Sequence, residues 1–145
     1  MSHVKIWVHL VFATKYREHL LPKDSIHAIF EHIMINCRKK EIYLQATNGS
    51  FDHVHSLISL GKDQSIAQVV QLIKGESSFW ISRNLGLPYK FSWQDDYFAV
   101  SVSESQVENV IKYIKNQEEH HKVRSFSEEA DEFSSRYGFK RIKDE

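Results

Sequence analysis

Residues 4–12 alternate between apolar and mixed side chains, and this period of two limits the fold more than any other feature of the sequence. Successive side chains of a β-strand point to opposite faces, so the alternation predicts a long strand with one strongly apolar face. The residues of that face are Val4, Ile6, Val8, Leu10 and Phe12. Such a face has to be covered, so we expect a sheet with helices packed on it.

Two later segments repeat apolar residues at spacings of three and four, which is typical of an amphipathic helix. The first helix is predicted over residues 24–40. The second is predicted to start at Ser65, whose partner Gln68 completes a capping box. Residues 91–102, "FSWQDDYFAVSV", are predicted to form another strand.

The regions on either side of the second helix contain a hairpin and a third helix. Residues 41–60 are two strand-like runs around Asn48-Gly49, the pair that a tight type I′ turn prefers. A second capping box, Ser105 with Glu108, is predicted to open the third helix. Its apolar stripe is Val107, Val110, Ile111 and Ile114.

The resulting order is β, α, β, β, α, β and then two helices, the last from about Ser127 to Gly138. This order predicts an α+β fold with a split βαβ arrangement: a ferredoxin-like or RRM-like antiparallel sheet with two helices on one face. The other face is left for a further element or a partner. A length of 145 residues suits one domain spanning the whole chain.

Composition excludes several classes of protein. With 41% hydrophobic and 26% charged residues, the sequence predicts neither a disordered chain nor a membrane span. Its first residues do not have the pattern of a secretory signal, so we expect the protein in the cytoplasm. The single cysteine, Cys37, allows neither an internal disulfide nor a cysteine zinc site, so we expect a buried spectator. Nineteen basic residues balance nineteen acidic ones, so any nucleic-acid contact must come from a local patch.

The stretch "FDHVHSLISL" places two histidines two residues apart on a predicted strand. His53 and His55 therefore point to the same side, while Val54 and Ile58 point into the core. Imidazole is the commonest side-chain ligand of transition metals, so the pair could form half of a metal site. Asp52 would then orient one ring, or it simply lies at the end of the strand. Taken alone, the pair is more often two ordinary histidines on a half-exposed strand.

Tyr113 and Gln117 are four residues apart on the predicted third helix and so share a face, at the edge of its apolar stripe. Such a border can face a core or a cleft, and an isolated tyrosine there is more often a half-buried aromatic with its hydroxyl in water. His120 and His121 follow in a charged run that suggests a solvated helix end, and binding of phosphate or metal by one of them is the less favoured alternative.

Five motifs occur in order between about His9 and Gln117: "HLVFATKYRE", "DHVHSLISL", "QLIKGESS", "SWQDDYFAVSVSE" and "YIKNQ". Together they resemble the HUH single-tyrosine transposases, the small TnpA-type enzymes of insertion sequences that move as single-stranded DNA. The name describes histidine, hydrophobic residue, histidine, which here are His53, Val54 and His55. Several ordered motifs are more specific than any one of them.

The resemblance implies a role for each of the four polar residues. Tyr113 corresponds to the nucleophile that forms a 5′-phosphotyrosine, and Gln117 to the third metal ligand beside His53 and His55. The resemblance also implies a divalent ion, Mg²⁺ or Mn²⁺, and single-stranded DNA whose hairpins mark the ends of the element. It implies a homodimer in which the tyrosine helix of one subunit can complete the histidine site of the other.

Candidate DNA contacts are separate from His53, His55, Tyr113 and Gln117. A tyrosine at position 16 could stack on an unpaired base. Basic side chains suited to phosphate are Lys15, Arg17, Lys74, Arg83 and Lys90, although any one of them alone is more often a solvated surface charge.

Other functions remain open at this point. A non-catalytic nucleic-acid-binding module of RRM-like fold would leave strands intact and bind them in the presence of a chelator, but its strands usually carry aromatic pairs that are missing here. A zinc-dependent hydrolase would need a tightly held ion. A domesticated HUH nuclease would keep the chemistry for a host task.

Overall fold

The computed structural model describes residues 1–117 of the chain. Its four strands are β1 (Ile6–Thr14), β2 (Tyr43–Gly49), β3 (His53–Leu60) and β4 (Trp93–Val102). They form one antiparallel sheet in the order β2-β3-β1-β4. The helices are α1 (Ile26–Lys39), α2 (Ile66–Asn84) and α3 (Val107–Lys115). The order along the chain and the central position of β1 and β3 confirm the ferredoxin-like antiparallel sheet expected from the sequence.

The main core lies between the sheet and the helix pair α1 and α2. The strand residues that face this core are Val8, Leu10, Phe12, Val54 and Ile58, as the period of two predicts. The capping box of Ser65 and Gln68 opens α2. Cys37 is buried in the same core, and burial raises the pKa of its thiol to about 12, which suits an unreactive side chain.

The hairpin between β2 and β3 turns at residues 50–52, not at the predicted Asn48-Gly49 pair. Gly49 still belongs to β2 and pairs with Val54. Neither Asn48 nor Gly49 has the positive φ that a type I′ turn requires, so that prediction is wrong. Asn48 has another contact instead: its Nδ2 donates to the carbonyl oxygen of Lys115 at 3.1 Å.

Helix α3 begins without the capping box predicted from Ser105 and Glu108. A short 3-10 turn over Glu104–Gln106 precedes it, and Gln106 is the N-cap, with no side-chain hydrogen bond to the helix. Because Ser105 lies inside this turn, it does not occupy the capping position, and its hydroxyl lies 3.2 Å from that of Ser103. The predicted apolar stripe is correct, since Val107, Val110, Ile111 and Ile114 are all buried.

The stripe of α3 packs on the sheet face opposite α1 and α2. It forms a second core with Trp7, Leu57 and Val102 of the sheet, and Tyr113 packs at the border of this core. Helix α3 thus covers part of the face to which His53 and His55 point.

Within residues 1–117, no helix has the length and apolarity needed to cross a bilayer. The last helix predicted from about Ser127 to Gly138, like His120 and His121, lies outside the described residues.

Candidate active site

His53 and His55 lie side by side at the start of β3, beneath α3. In the pairing of β3 with β1 they stand opposite Ala13 and Val11. Their ring centroids are 5.1 Å apart, and both side chains are buried, with 0% and 1% of their surface exposed. Their placement on one face follows from the period of two.

Hydrogen bonds at His53 define which of its nitrogens can bind an ion. Its Nδ1 is 2.7 Å from Oδ1 of Asp52, so the neutral ring donates from Nδ1 to the carboxylate and keeps its lone pair on Nε2. That Nε2 is 3.4 Å from Oε1 of Gln117. The amide nitrogen of Gln117 donates to the carbonyl of Tyr113 at 3.2 Å, which leaves the amide oxygen facing His53.

A third buried histidine, His9 of β1, joins the group and was not among the residues predicted from the sequence. Its Nε2 lies 3.0 Å from Nδ1 of His55, and the two ring centroids are 5.2 Å apart. The alternation along β1 assigns His9 to the same face as Trp7 and Val11. Only the register between β1 and β3 reveals that it meets His55.

Tyr113 lies beside these histidines. Its ring centroid is 5.4 Å from that of His55 and 6.0 Å from that of His9, with the rings edge to face in both pairs. Tyr113 is half-buried, and Gln117 is fully buried. The structure therefore brings Tyr113, Gln117 and both motif histidines together within one chain, and their chemical roles stay predictions.

One pair of donor atoms in this group has the spacing that a shared divalent ion requires. Two ligands that are each about 2.1 Å from one ion lie roughly 3.0 to 3.4 Å apart, depending on the coordination geometry. The distance of 3.4 Å between His53 Nε2 and Gln117 Oε1 falls within this range and is long for a hydrogen bond. Among residues 1–117, no three His, Cys, Asp or Glu side chains are grouped to hold an ion, and the role of the Gln117 amide as a ligand stays a prediction.

Residues 15–17 form an unusual turn at the end of β1, the end of the sheet at which β3 begins with His53. Tyr16 and Arg17 have φ values of 58° and 55°, in the left-handed region that costs a non-glycine residue free energy. The Tyr16 ring is 75% exposed, with Lys15 Nζ 5.6 Å from its centroid. The N–H of Tyr16 donates to Oε1 of Gln94 at 2.9 Å, which ties the turn to β4.

The other predicted DNA contacts occupy different surroundings. Lys74 of α2 donates its Nζ hydrogens to the carbonyl of Gln94 and, at 3.1 Å, to that of Asp95, and burial lowers the pKa of its ammonium. Arg83, in the last turn of α2, lies with Cζ 5.1 Å from the ring centroid of Phe79. Lys90 is exposed in the segment before β4. Lys74 thus braces the start of β4, and its role as a phosphate contact, like those of Arg83 and Lys90, stays a prediction.

The sequence of the chain is similar to those of known transposases. Residues 2–117 match the protein family described as "Transposase IS200 like". The transposases for insertion sequence element IS200 of Salmonella typhimurium and Salmonella typhi are each 26% identical to the chain in an alignment 120 residues long. The alignment covers 79% of this chain and 78% of each relative.

Two solved structures share the fold. A candidate transposase from Deinococcus radiodurans superposes with a TM-score of 0.62 at 26% identity, over 80% of this chain and 93% of that one. A REP-associated tyrosine transposase bound to a REP hairpin gives a TM-score of 0.61 at 16% identity, over 83% of this chain and 72% of that one, and shows likeness of fold. Because the family match takes in nearly all of the described residues, the chain belongs to the family of IS200-like transposases.

Proposed function

We propose that this transposase cuts single-stranded DNA next to hairpins and transfers the cut strand through a 5′-phosphotyrosine on Tyr113, with the help of a divalent ion. One observation supports this function most strongly. Helix α3 places the Tyr113 ring 5.4 Å from the His55 ring. Gln117, four residues after Tyr113, has its amide oxygen 3.4 Å from Nε2 of His53. A tyrosine that served only to pack would need no such group of buried nitrogen and oxygen ligands.

The covalent step exchanges one phosphoester for another. The hydroxyl oxygen of Tyr113 attacks the scissile phosphorus, the bond from phosphorus to the 3′-oxygen breaks, and the 3′-oxygen leaves with a proton. Phenolate is also a good leaving group, so the 3′-hydroxyl of another strand can reverse the step and rejoin the DNA. The energy of the broken bond is stored in the tyrosine ester.

His53, His55 and Gln117 are the residues that would hold the ion. A divalent ion held there would polarise the scissile phosphate and offset negative charge in the transition state. All three side chains are neutral as ligands, so we expect weak retention and Mg²⁺ or Mn²⁺ as the ion in use. Asp52 holds the His53 ring in place through Nδ1.

Substrate access requires a movement of the elements that cover the site. His53, His55 and Gln117 are at most 1% exposed, so a phosphate can reach them only if elements that cover them move, and the end of α3 is the candidate that we infer. The hydrogen bond from Asn48 to the Lys115 carbonyl holds that end in place. We expect the end of α3 to lift when DNA binds, either within one chain or towards the second subunit of a homodimer.

Residues 15–17 are the proposed contact for unpaired DNA near the hairpin. Lys15 and Arg17 flank an exposed aromatic ring at the same end of the sheet as His53. A relative of the same fold was solved with a REP hairpin, which supports hairpin binding by this chain as well. Backbone strain at an exposed turn is often kept for a functional contact.

Tyr16→Gly is expected to stabilise the protein and weaken DNA binding at the same time. Glycine adopts positive φ without strain, so the free energy of unfolding should rise by about 1 kcal/mol. Loss of one stacked base should weaken binding of unpaired DNA by about 1 to 3 kcal/mol. Urea denaturation measures the change in stability, and fluorescence anisotropy measures the change in binding.

Tyr16→Asn is the control, because asparagine tolerates the same φ but lacks the ring. This variant should bind unpaired DNA as weakly as Tyr16→Gly. Binding equal to wild type in both variants would exclude the stacking contact.

The proposed function is tested with hairpin-bearing single strands labelled at either end. With Mn²⁺ or Mg²⁺, DNA labelled at its 3′ end should migrate with the protein on a denaturing gel, because the tyrosine ester retains the 5′ phosphate of that fragment. DNA labelled at its 5′ end should shorten and stay unattached. Chelation of the ion should abolish both products.

Two other results would replace this function with another. Binding that survives the chelator and leaves strands intact in every condition would indicate a non-catalytic nucleic-acid-binding module. Cleavage without an adduct, by protein that retains tightly bound zinc, would indicate a hydrolase.

A further inference from the structure

We propose that His9 is a positioning residue that determines which nitrogen of His55 binds the ion. This inference rests on the proposed function, since it concerns the ligands of that same site. His9 is buried at 2% exposure and lies on β1, a central strand where it pairs with Leu57 on one side and Val100 on the other. A ring on so fixed a backbone is well placed to hold its neighbour in one orientation.

The two histidines of the motif have different partners at Nδ1. In His53 that nitrogen meets the carboxylate of Asp52, which can only accept a hydrogen bond. In His55 it meets Nε2 of His9 at 3.0 Å. A hydrogen bond between two imidazoles needs a proton on one nitrogen and a lone pair on the other, so the tautomers of His9 and His55 depend on each other.

This pairing selects one arrangement of protons for ion binding. Because Nδ1 of His55 faces His9, the ion has to be bound through Nε2, and Nε2 has a lone pair only when the proton of the neutral ring is on Nδ1. His55 then donates to His9, and His9 carries its own proton on Nδ1. In the opposite arrangement His9 donates, the His55 proton moves to Nε2, and that nitrogen is blocked.

His9→Leu removes Nε2, the acceptor for His55, and replaces the ring with an apolar side chain of similar volume. His9→Gln places an amide oxygen at a distance from the backbone similar to that of Nε2. In the protein without DNA, we expect His9→Leu to weaken Mn²⁺ binding by about 10-fold to 100-fold, as measured by titration calorimetry. His9→Gln should restore most of the affinity. Nitrogen NMR of the imidazole rings should show that the proportions of the two His55 tautomers differ between the ion-free wild type and ion-free His9→Leu, because the partner at Nδ1 is lost.

Two controls separate this role from packing and from the existence of the ion site. Val11→Ala removes two buried methyl groups directly opposite His55 on β1, without touching the hydrogen bond, and should leave Mn²⁺ affinity nearly unchanged. His53→Ala removes a proposed ligand and should abolish specific Mn²⁺ binding.

The outcomes distinguish the inference from the function on which it rests. Equal Mn²⁺ binding by wild type and His53→Ala would overturn the ion site and both proposals with it. If His53→Ala loses the ion but His9→Leu keeps wild-type affinity and tautomer, the role of His9 alone is wrong. The same conclusion follows if His9→Gln is as weak as His9→Leu, or if Val11→Ala is as weak, because packing would then explain the loss.

Discussion

Tyr113→Phe is expected to abolish the covalent protein–DNA adduct and to lower strand cleavage by at least about 1,000-fold. The substitution removes one oxygen and keeps the ring that packs edge to face against His55 and His9. Without that oxygen the phosphoester to the protein has no atom through which to form. Transfer of label from 3′-labelled DNA to the protein band measures the effect.

Binding provides the internal control for this variant. The phenol is not a proposed ligand, so Tyr113→Phe should bind hairpin DNA and Mn²⁺ as the wild type does. Tyr43→Phe is a matched variant, because Tyr43 loses the same oxygen from β2, where its ring contacts Trp7 and not the histidines. It should keep full activity, and an adduct that persists in Tyr113→Phe would assign the nucleophile to another residue.

The sheet could be predicted from the sequence because the side-chain parity of a strand determines its two faces. The alternation at Val8, Leu10 and Phe12 assigned the core face of β1, and the step of two from His53 to His55 placed both rings on the opposite face. The helical step of four likewise predicted that Tyr113 and Gln117 lie on one side, although α3 ends at Lys115 and Gln117 follows it. Each of these relations joins residues close together in the sequence, so the local pattern suffices.

Relations between elements were harder to predict. The contact of His9 with His55 depends on the register of β1 against β3, which no local pattern specifies. The hairpin turn was misplaced for a similar reason: Asn48-Gly49 has strong turn propensity, but pairing of Gly49 with Val54 extends β2 by two residues. Tertiary contacts overrode the local preference, and Asn48 contacts the end of α3 instead.

The close approach at Gly49 explains why this position holds glycine although its φ is not positive. A Cβ built on Gly49 would lie 2.1 Å from the carbonyl oxygen of His53 and 2.9 Å from Cα of Val54. Both are backbone atoms of the paired strand, so relief requires a shift of the hairpin itself. That shift would displace His53, the first ligand of the proposed ion site.

Gly49→Ala is therefore expected to lower the free energy of unfolding by about 3 kcal/mol or more, as measured by urea denaturation. Gly75→Ala, in the middle of α2, is the matched control. Apart from the nearby backbone of α2 and the two chain neighbours, no atom of the described residues lies within 4 Å of a Cβ added at Gly75. Alanine favours a helix interior over glycine, so this variant should gain about 0.5 to 1 kcal/mol. The same chemical change thus has opposite signs at the two positions. Equal stability of Gly49→Ala and wild type would contradict the close strand contact that holds His53 in place.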